Sequence, residues 1–387
     1  MLSILSLVEG CGFSGEFVQT RILRHAQDAS APKNERTHLL GSREIVMKAI
    51  SYQGKDSVAV VDIPVPQLAR DKALIKVTYA GICGSDLSIV AGKHPRATPP
   101  LIMGHELSGA IAALPQETHS DLKVGDRVTV YPLLSCGKCY VCKMGLPHVC
   151  RDLKLIGIDT DGAFAEYVLA AEDAVIKIPD DLSDEEGALI EPLAVCIHAA
   201  HMSRMQVGDS VVVTGAGPIG LLMAMVARAS GAAKVIVTEV APSRIDVARE
   251  LGFTVLNAAD GNLVEQVLEL TKGRGGDIVF EATGHPSVAP YLMELVRIRG
   301  QIVQVGIFKG PAPIDLRALN FHEVDLIGSR VYTLEDFDRA IGLAAKEQVD
   351  LKPMITTVLS LDEGVNGFRI AQNATSLKVI FEATAGH

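Results

Sequence analysis

Between about Val207 and Gly328 the chain alternates short, wholly apolar runs with helical segments, and this restricts its fold more than any other feature. The runs are SVVVTGAG, KVIVTEV, DIVFEA and QIVQVG, with helices predicted between them, among others at Pro218–Ala229 and Ser243–Leu251. A strand that is apolar on both faces must be covered on both sides. Helices alternating with such strands achieve this in a parallel, doubly wound α/β sheet. That domain is expected to span 205–330.

At 387 residues the chain is longer than one hydrophobic core usually supports, so a second domain is expected. Residues 47–204 are β-rich with glycine and proline punctuation. Strands are predicted at Ala73–Tyr79, Glu106–Leu114 and Arg127–Pro132, and the run MKAISYQGKDSVAVVDIPVP from Met47 reads as strand-like. Residues 331–387, with a helix near Leu334–Ala345 and a last strand at Leu377–Phe381, are expected to return to this domain. Residues 1–46 lack sustained periodicity and precede a second methionine, Met47. They read as an N-terminal extension expected to be poorly ordered, or alternatively as an arm packed on the body.

The net charge of −10 provides no basic field, which excludes nucleic acid and an anionic membrane surface as partners. The most apolar stretch, Val211–Ala227, is broken by three glycines and a proline, and reads as strand, turn and helix rather than a membrane span. Met1–Val8 is apolar but has no basic residues before it, and Glu9 follows at once, so a cytoplasmic location is expected. Four of the seven cysteines crowd between Cys136 and Cys150, which in a reducing compartment points to metal rather than disulfides.

Their spacing is Cys136-x2-Cys139-x2-Cys142-x7-Cys150. Four thiolates this close can wrap one tetrahedral zinc with no position left for water, which makes the expected site structural. A second set is scattered: Cys83 in GICGSD, His105 and Glu106 in MGHE, and Glu191 in IEPLAV. Cysteine, histidine and carboxylate are the usual donors of a catalytic zinc. Spacing alone leaves open a core-filling cysteine, a polar His–Glu turn and a carboxylate at a helix N-terminus.

Gly215-Ala216-Gly217-Pro218-Ile219-Gly220 follows the strand VVVT and opens an apolar helix, the context in which G-x-G-x-x-G binds a dinucleotide pyrophosphate. Glu239 ends the next strand, 19 residues beyond Gly220, where it accepts from ribose hydroxyls and repels a 2′-phosphate. NAD is therefore expected over NADP. Arg244 is a candidate to cover the adenine, with a solvated surface residue as the alternative. The strand end at Val279–Thr283 and the pair Val305–Gly306 are expected to line the far side of the cofactor.

GICGSD, the 22-residue step from Cys83 to His105, the four-cysteine lobe, EPLAV and the glycine fingerprint, in that order, resemble the zinc-containing medium-chain dehydrogenases over 47–387. EPLAV and GSRVYTLEDF are most similar to the polyol, sorbitol and butanediol branch, and DGAFAEYV is similar to threonine dehydrogenases. The resemblance implies a β-rich GroES-like catalytic domain beside the Rossmann cofactor domain. It also implies two zinc ions per chain, and a homodimer or homotetramer in which strands of the cofactor domain continue between subunits. It gives Cys83 and His105 as catalytic zinc ligands, Glu106 as the adjacent carboxylate, and Glu191 as a ligand either directly or through water. Ser85 corresponds to the hydroxyl that starts the proton relay, and Asp86 to a residue orienting the ligands. Five residues after Cys83, where many relatives carry a relay histidine, this chain has Ser88; water, Ser88, a ribose hydroxyl or His94 are the open substitutes.

The implied reaction is oxidation of a secondary alcohol on a small polar diol, polyol or sugar-derived substrate to a ketone, with hydride passing to NAD. Phe164, Glu166 and the stretch Arg330–Tyr332 are candidates for the substrate pocket, with core or surface roles as the alternatives. An arginine that contacts polyol in sorbitol-type relatives stands one position away here, at Arg330. A threonine-type dehydrogenase acting on a hydroxy-amino acid and a non-catalytic dinucleotide-binding scaffold are the competing readings.

Overall fold

The computed structural model describes residues 45–383, so the expected N-terminal extension lies outside the described residues apart from its last two positions. Six strands form a wholly parallel sheet in the order Thr254–Asn257, Lys234–Glu239, Ser210–Thr214, Gly276–Glu281, Val296–Gln304, Asp325–Gly328. The chain leaves Ser210–Thr214 to one side for two strands and then crosses back to Gly276–Glu281. This reversal opens a crevice at the carboxyl ends of the two central strands. The pleat divides the core. Val212, Ile236, Val279 and Ile302 face one layer, while Val211, Val213, Val237, Phe280 and Val303 join the larger core on the other. Burial on both faces is what the unbroken apolar runs require.

The remaining strands build a seven-stranded sheet. Its path is Val175–Lys177, Arg127–Val130, Glu106–Ala113, Lys72–Gly81, Lys378–Glu382, Ile355–Ser360, with Tyr167–Ala171 also pairing Lys72–Gly81. Two strands from the C-terminal segment thus complete a sheet begun nearly 300 residues earlier. A separate three-stranded sheet holds Val46–Gly54, Ser57–Pro64 and Leu101–Ile102.

The run from Met47, read as strand-like, is a hairpin of two antiparallel strands turning near Asp56, whose φ is +56°. Helices at Pro218–Ala229 and Leu334–Ala345 fall where predicted, and Ser243–Leu251 is displaced by one residue to Pro242–Glu250. The helix Ile190–Met202 was foreseen only as an alternative for Glu191, without bounds: it is buried nearly all round, so it has no polar stripe to reveal its period. Among the described residues no helix is long and apolar enough to cross a membrane.

Candidate active site and cofactor crevice

Strand register assembles the first cluster. Gly81 pairs with Glu106 on one side and Ile380 on the other, so the chain leaving at Cys83 passes beside His105 and Lys378. A side chain at Gly81 would come within 2.5 Å of a Glu106 carboxylate oxygen, so the close approach requires glycine. Ligand atoms of Cys83, His105 and Glu106 all lie within 4.8 Å of one another. Cys83 caps the short helix Gly84–Val90, and its amide donates to Asp86 Oδ2 at 2.8 Å. His105 Nε2 lies 3.5 Å from Ser85 Oγ, while its Nδ1 faces Asp86 Oδ1 at 3.9 Å. Both of those last atoms are buried without a hydrogen-bond partner.

The carboxylates are tethered. Both oxygens of Glu106 accept from Lys378 Nζ, which also donates to the Ile82 carbonyl at 3.3 Å. Glu191, in the first turn of Ile190–Met202, lies outside the group of three. Its Oε1 accepts from the Tyr332 hydroxyl at 2.6 Å. Glu191 thus stands in the first turn of a helix, the alternative that its place before Pro192 left open.

Acidic groups outnumber basic ones in this pocket. Burial pushes Asp86 up to about 6, against the pull of His105. Burial alone would push the His105 imidazole down, yet Asp86 and Cys83 outweigh it and hold it well above its ordinary value. Burial also raises Glu191, and it keeps the Tyr332 phenol protonated as a donor. Four acidic groups, Cys83, Asp86, Glu106 and Glu191, face one lysine and one imidazole. A thiol, an imidazole and a carboxylate converging where positive charge is short fit a divalent zinc.

The second cluster gathers Cys136, Cys139, Cys142 and Cys150, whose sulfurs also lie within 4.8 Å of one another. Amides of Cys136 and Asp152 donate to Cys150 Sγ at 3.3 and 3.4 Å, and that of Cys139 to Cys136 Sγ at 3.4 Å. Backbone amides of Arg151 and Cys142 pull Cys139 down to about 6, while burial and shared thiol hydrogen bonds push Cys142 up to about 12. The four cannot all ionise side by side unless a cation joins them, and four sulfurs at this spacing fit zinc. No disulfide joins any cysteine among the described residues.

In the crevice, Gly215 has φ +91°, and a side chain on Gly220 would strike the Gly215 carbonyl at 1.9 Å. The first glycine makes the tight turn and the last brings helix against strand. Gly217 caps the helix, Pro218 and Ile219 form its first turn, and the open amides face the crevice. The buried Glu239 accepts from the Ala216 amide at 2.8 Å through one oxygen, and from Val240 and Ala241 at 2.7 and 3.0 Å through the other. Arg244 lies beside Gly217 and donates through Nε to the Ala374 carbonyl at 3.1 Å.

The substrate-pocket candidates fare differently. Phe164 is fully buried, edge-on to Phe368 and Phe381, and is a core residue. Glu166 accepts from the Lys48 amide at 2.7 Å and serves the sheet. Arg330 is exposed, and Tyr332 is buried against Glu191. His94 turns its Nδ1 to the amides of Arg96 and Ala97 in its own loop. Sequence reasoning missed Lys378; its one signal was a lysine inside the apolar strand LKVIF.

A dinucleotide crevice and a thiol–imidazole–carboxylate pocket in one chain define a metal- and nicotinamide-dependent oxidoreductase. The model of the alcohol dehydrogenase GroES-like domain matches residues 69–180, and that of the zinc-binding dehydrogenase domain matches 218–346. The chain is 38% identical to 2-dehydro-3-deoxy-L-galactonate 5-dehydrogenase of Pseudoalteromonas atlantica, over 88% of this chain and 99% of that protein. It is 35% identical to sorbitol dehydrogenase of Bacillus subtilis, over 82% and 91%. A zinc-binding dehydrogenase of Sinorhizobium meliloti, solved bound to NADP, matches with a TM-score of 0.83 at 31% identity, over 87% of this chain and 99% of that one. The chain belongs to the zinc-containing medium-chain alcohol dehydrogenases. It is an enzyme of zinc-dependent secondary alcohol oxidation with a nicotinamide cofactor.

Proposed function

We propose that the enzyme oxidises a secondary hydroxyl of a polyol, diol or sugar-derived substrate to a ketone, using NAD. The observation that carries this reading is the convergence of Cys83, His105 and Glu106 within 4.8 Å. Cys83, His105 and a carboxylate hold the catalytic zinc; Glu106 is the nearer candidate, and Glu191 is a reserve restrained by Tyr332. Cys136, Cys139, Cys142 and Cys150 hold a second, structural zinc. When bound, the catalytic zinc supplies a Lewis acid that lowers the pKa of a substrate hydroxyl, and the nicotinamide supplies the hydride acceptor.

The chain's own residues do the rest. Ser85, 3.5 Å from His105 Nε2, accepts the hydroxyl proton and passes it toward solvent. Ser88, half-buried on the same short helix, and water carry it onward, since His94 is committed to its loop. Asp86 Oδ1 faces His105 Nδ1 at 3.9 Å, beyond hydrogen-bonding distance, and favours that orientation of the ring through its charge. Glu239 at the end of its strand prefers the free ribose hydroxyls of NAD to a 2′-phosphate.

The catalytic domain comprises 47–204 with 331–387, and the cofactor domain 205–330. Clustered free thiols suit a reducing compartment such as the cytoplasm. A homodimer or homotetramer is expected, with the exposed edge strand Asp325–Gly328 as its natural seam. NAD and NADP reduction on a panel of diols, polyols, sugar acids and threonine tests the reading. Turnover of threonine alone would replace the polyol assignment, and turnover of no alcohol at all would leave only a binding scaffold.

A further inference from the structure

Glu281 ends the strand Gly276–Glu281 and is completely buried. Its Oε1 accepts from the Thr283 amide at 2.8 Å, the Gly284 amide at 3.0 Å and the Thr283 hydroxyl, with the Thr214 hydroxyl at 3.5 Å. Its Oε2 accepts from the Gly284 amide at 3.1 Å and the Gln304 side chain at 2.9 Å. The carbonyl of the same residue takes the amides of Val305 and Gly306 at 2.8 and 2.7 Å. Every partner is a donor, and together they come from the carboxyl ends of three neighbouring parallel strands.

Those strand ends form the floor of the crevice. Glu239 and the glycine loop occupy one side of the switch point, where the adenosine half and the pyrophosphate belong. The loops 282–284 and 305–306 occupy the other side, which leaves them the nicotinamide half. Both hang on Glu281. Gly306 packs so closely that a side chain there would come within 2.3 Å of the Gly284 amide and 2.7 Å of Glu281 Oε2. Gln304 adds a brace, donating to the Gly306 carbonyl at 2.5 Å as well as to Glu281.

We infer that Glu281 is a positioning residue for the nicotinamide ring: its carboxylate fixes two loops as one rigid surface, without itself touching the reacting atoms. This rests on the cofactor reading above. Glu281→Gln keeps size and one acceptor oxygen but turns an NH2 group toward donors, which must then move apart.

The test compares calorimetric binding of NADH with that of ADP-ribose, which lacks the nicotinamide, together with the fluorescence of bound NADH. In Glu281→Gln, NADH affinity should fall about tenfold, the equivalent of one lost buried hydrogen bond, with altered bound-state fluorescence. ADP-ribose affinity should stay within about twofold. Gln304→Leu and Thr283→Val each remove one donor and leave the carboxylate in place. They should show the same split at about threefold, and they carry the test if Glu281→Gln does not fold. Equal losses for both ligands, or no loss for NADH, would overturn the inference. Failure of the wild-type enzyme to bind NADH would instead overturn the cofactor reading.

Discussion

Replacing Lys378 by Met separates the pocket's electrostatics from its packing. The Lys378 side chain is 3% exposed and that of Glu106 0%, and the ammonium reaches both Glu106 oxygens. Burial alone would push the lysine pKa down, but Glu106 and Cys83 outweigh it and hold it above the ordinary value, which favours the ammonium form. Methionine fills nearly the same volume and leaves the buried carboxylate with no ammonium partner, only the His105 imidazole and the metal nearby. Removing one partner of such a pair costs about 3–5 kcal/mol, whereas replacing both is close to neutral. Guanidinium unfolding of Lys378→Met should therefore show a loss in that range, and Lys378→Met with Glu106→Gln should recover most of it. The gap in stability between the zinc-loaded and chelator-treated proteins should also widen in the single variant, because zinc takes over the counter-charge that the lysine supplied. A single-variant loss below about 1 kcal/mol, the range of exposed pairs, would refute the reasoning.

Cys142→Ser should lower zinc content by one ion per chain and sharply reduce thermal stability, since a structural zinc contributes folding energy outright; metal analysis and a melting curve check both. Glu239→Ala should lower the preference for NAD over NADP by roughly 10- to 100-fold, the value of one or two charge-assisted hydrogen bonds, as read from kcat/KM for the two cofactors. Asp336 joins two helices by accepting from His198 Nδ1 at 2.7 Å, the Thr333 amide at 2.9 Å and the His201 ring. Burial opposes its ionisation, but the bonds from His198 and Thr333 outweigh it and hold the carboxyl well below the usual range. A depressed carboxyl stabilises the fold above its unfolded pKa and loses that contribution as pH falls. Stability should thus decline below about pH 5, and Asp336→Asn should flatten that decline in unfolding curves taken from pH 6 to 3.

The fold was legible wherever burial left a period in the sequence. The four strands named from Ser210 to Gln304 are apolar on both faces, and Pro218–Ala229 begins with a proline at the first helical position and a glycine cap. Thr254–Asn257, Asp325–Gly328 and Ile355–Ser360 escaped because short, half-exposed strands carry neither an apolar run nor clean alternation. Ligand types were legible because zinc chemistry limits them to a few residues. Their tethers were not. Lys378 lies 272 residues from Glu106 and Tyr332 lies 141 from Glu191, so only the closing of the sheet joins the first pair and only the packing of two distant helices the second. Glu281 was read as part of a lining because nothing local reveals that three strand ends donate to it.

Zinc counted per chain in wild type and in Cys83→Ser, alongside polyol-dependent NAD reduction, tests the metal pocket most directly. Two ions are expected in the wild type. One ion and no turnover are expected in the variant, whose four-cysteine lobe is untouched. Two retained ions, or full activity with one, would contradict the assignment of Cys83 to the reacting centre.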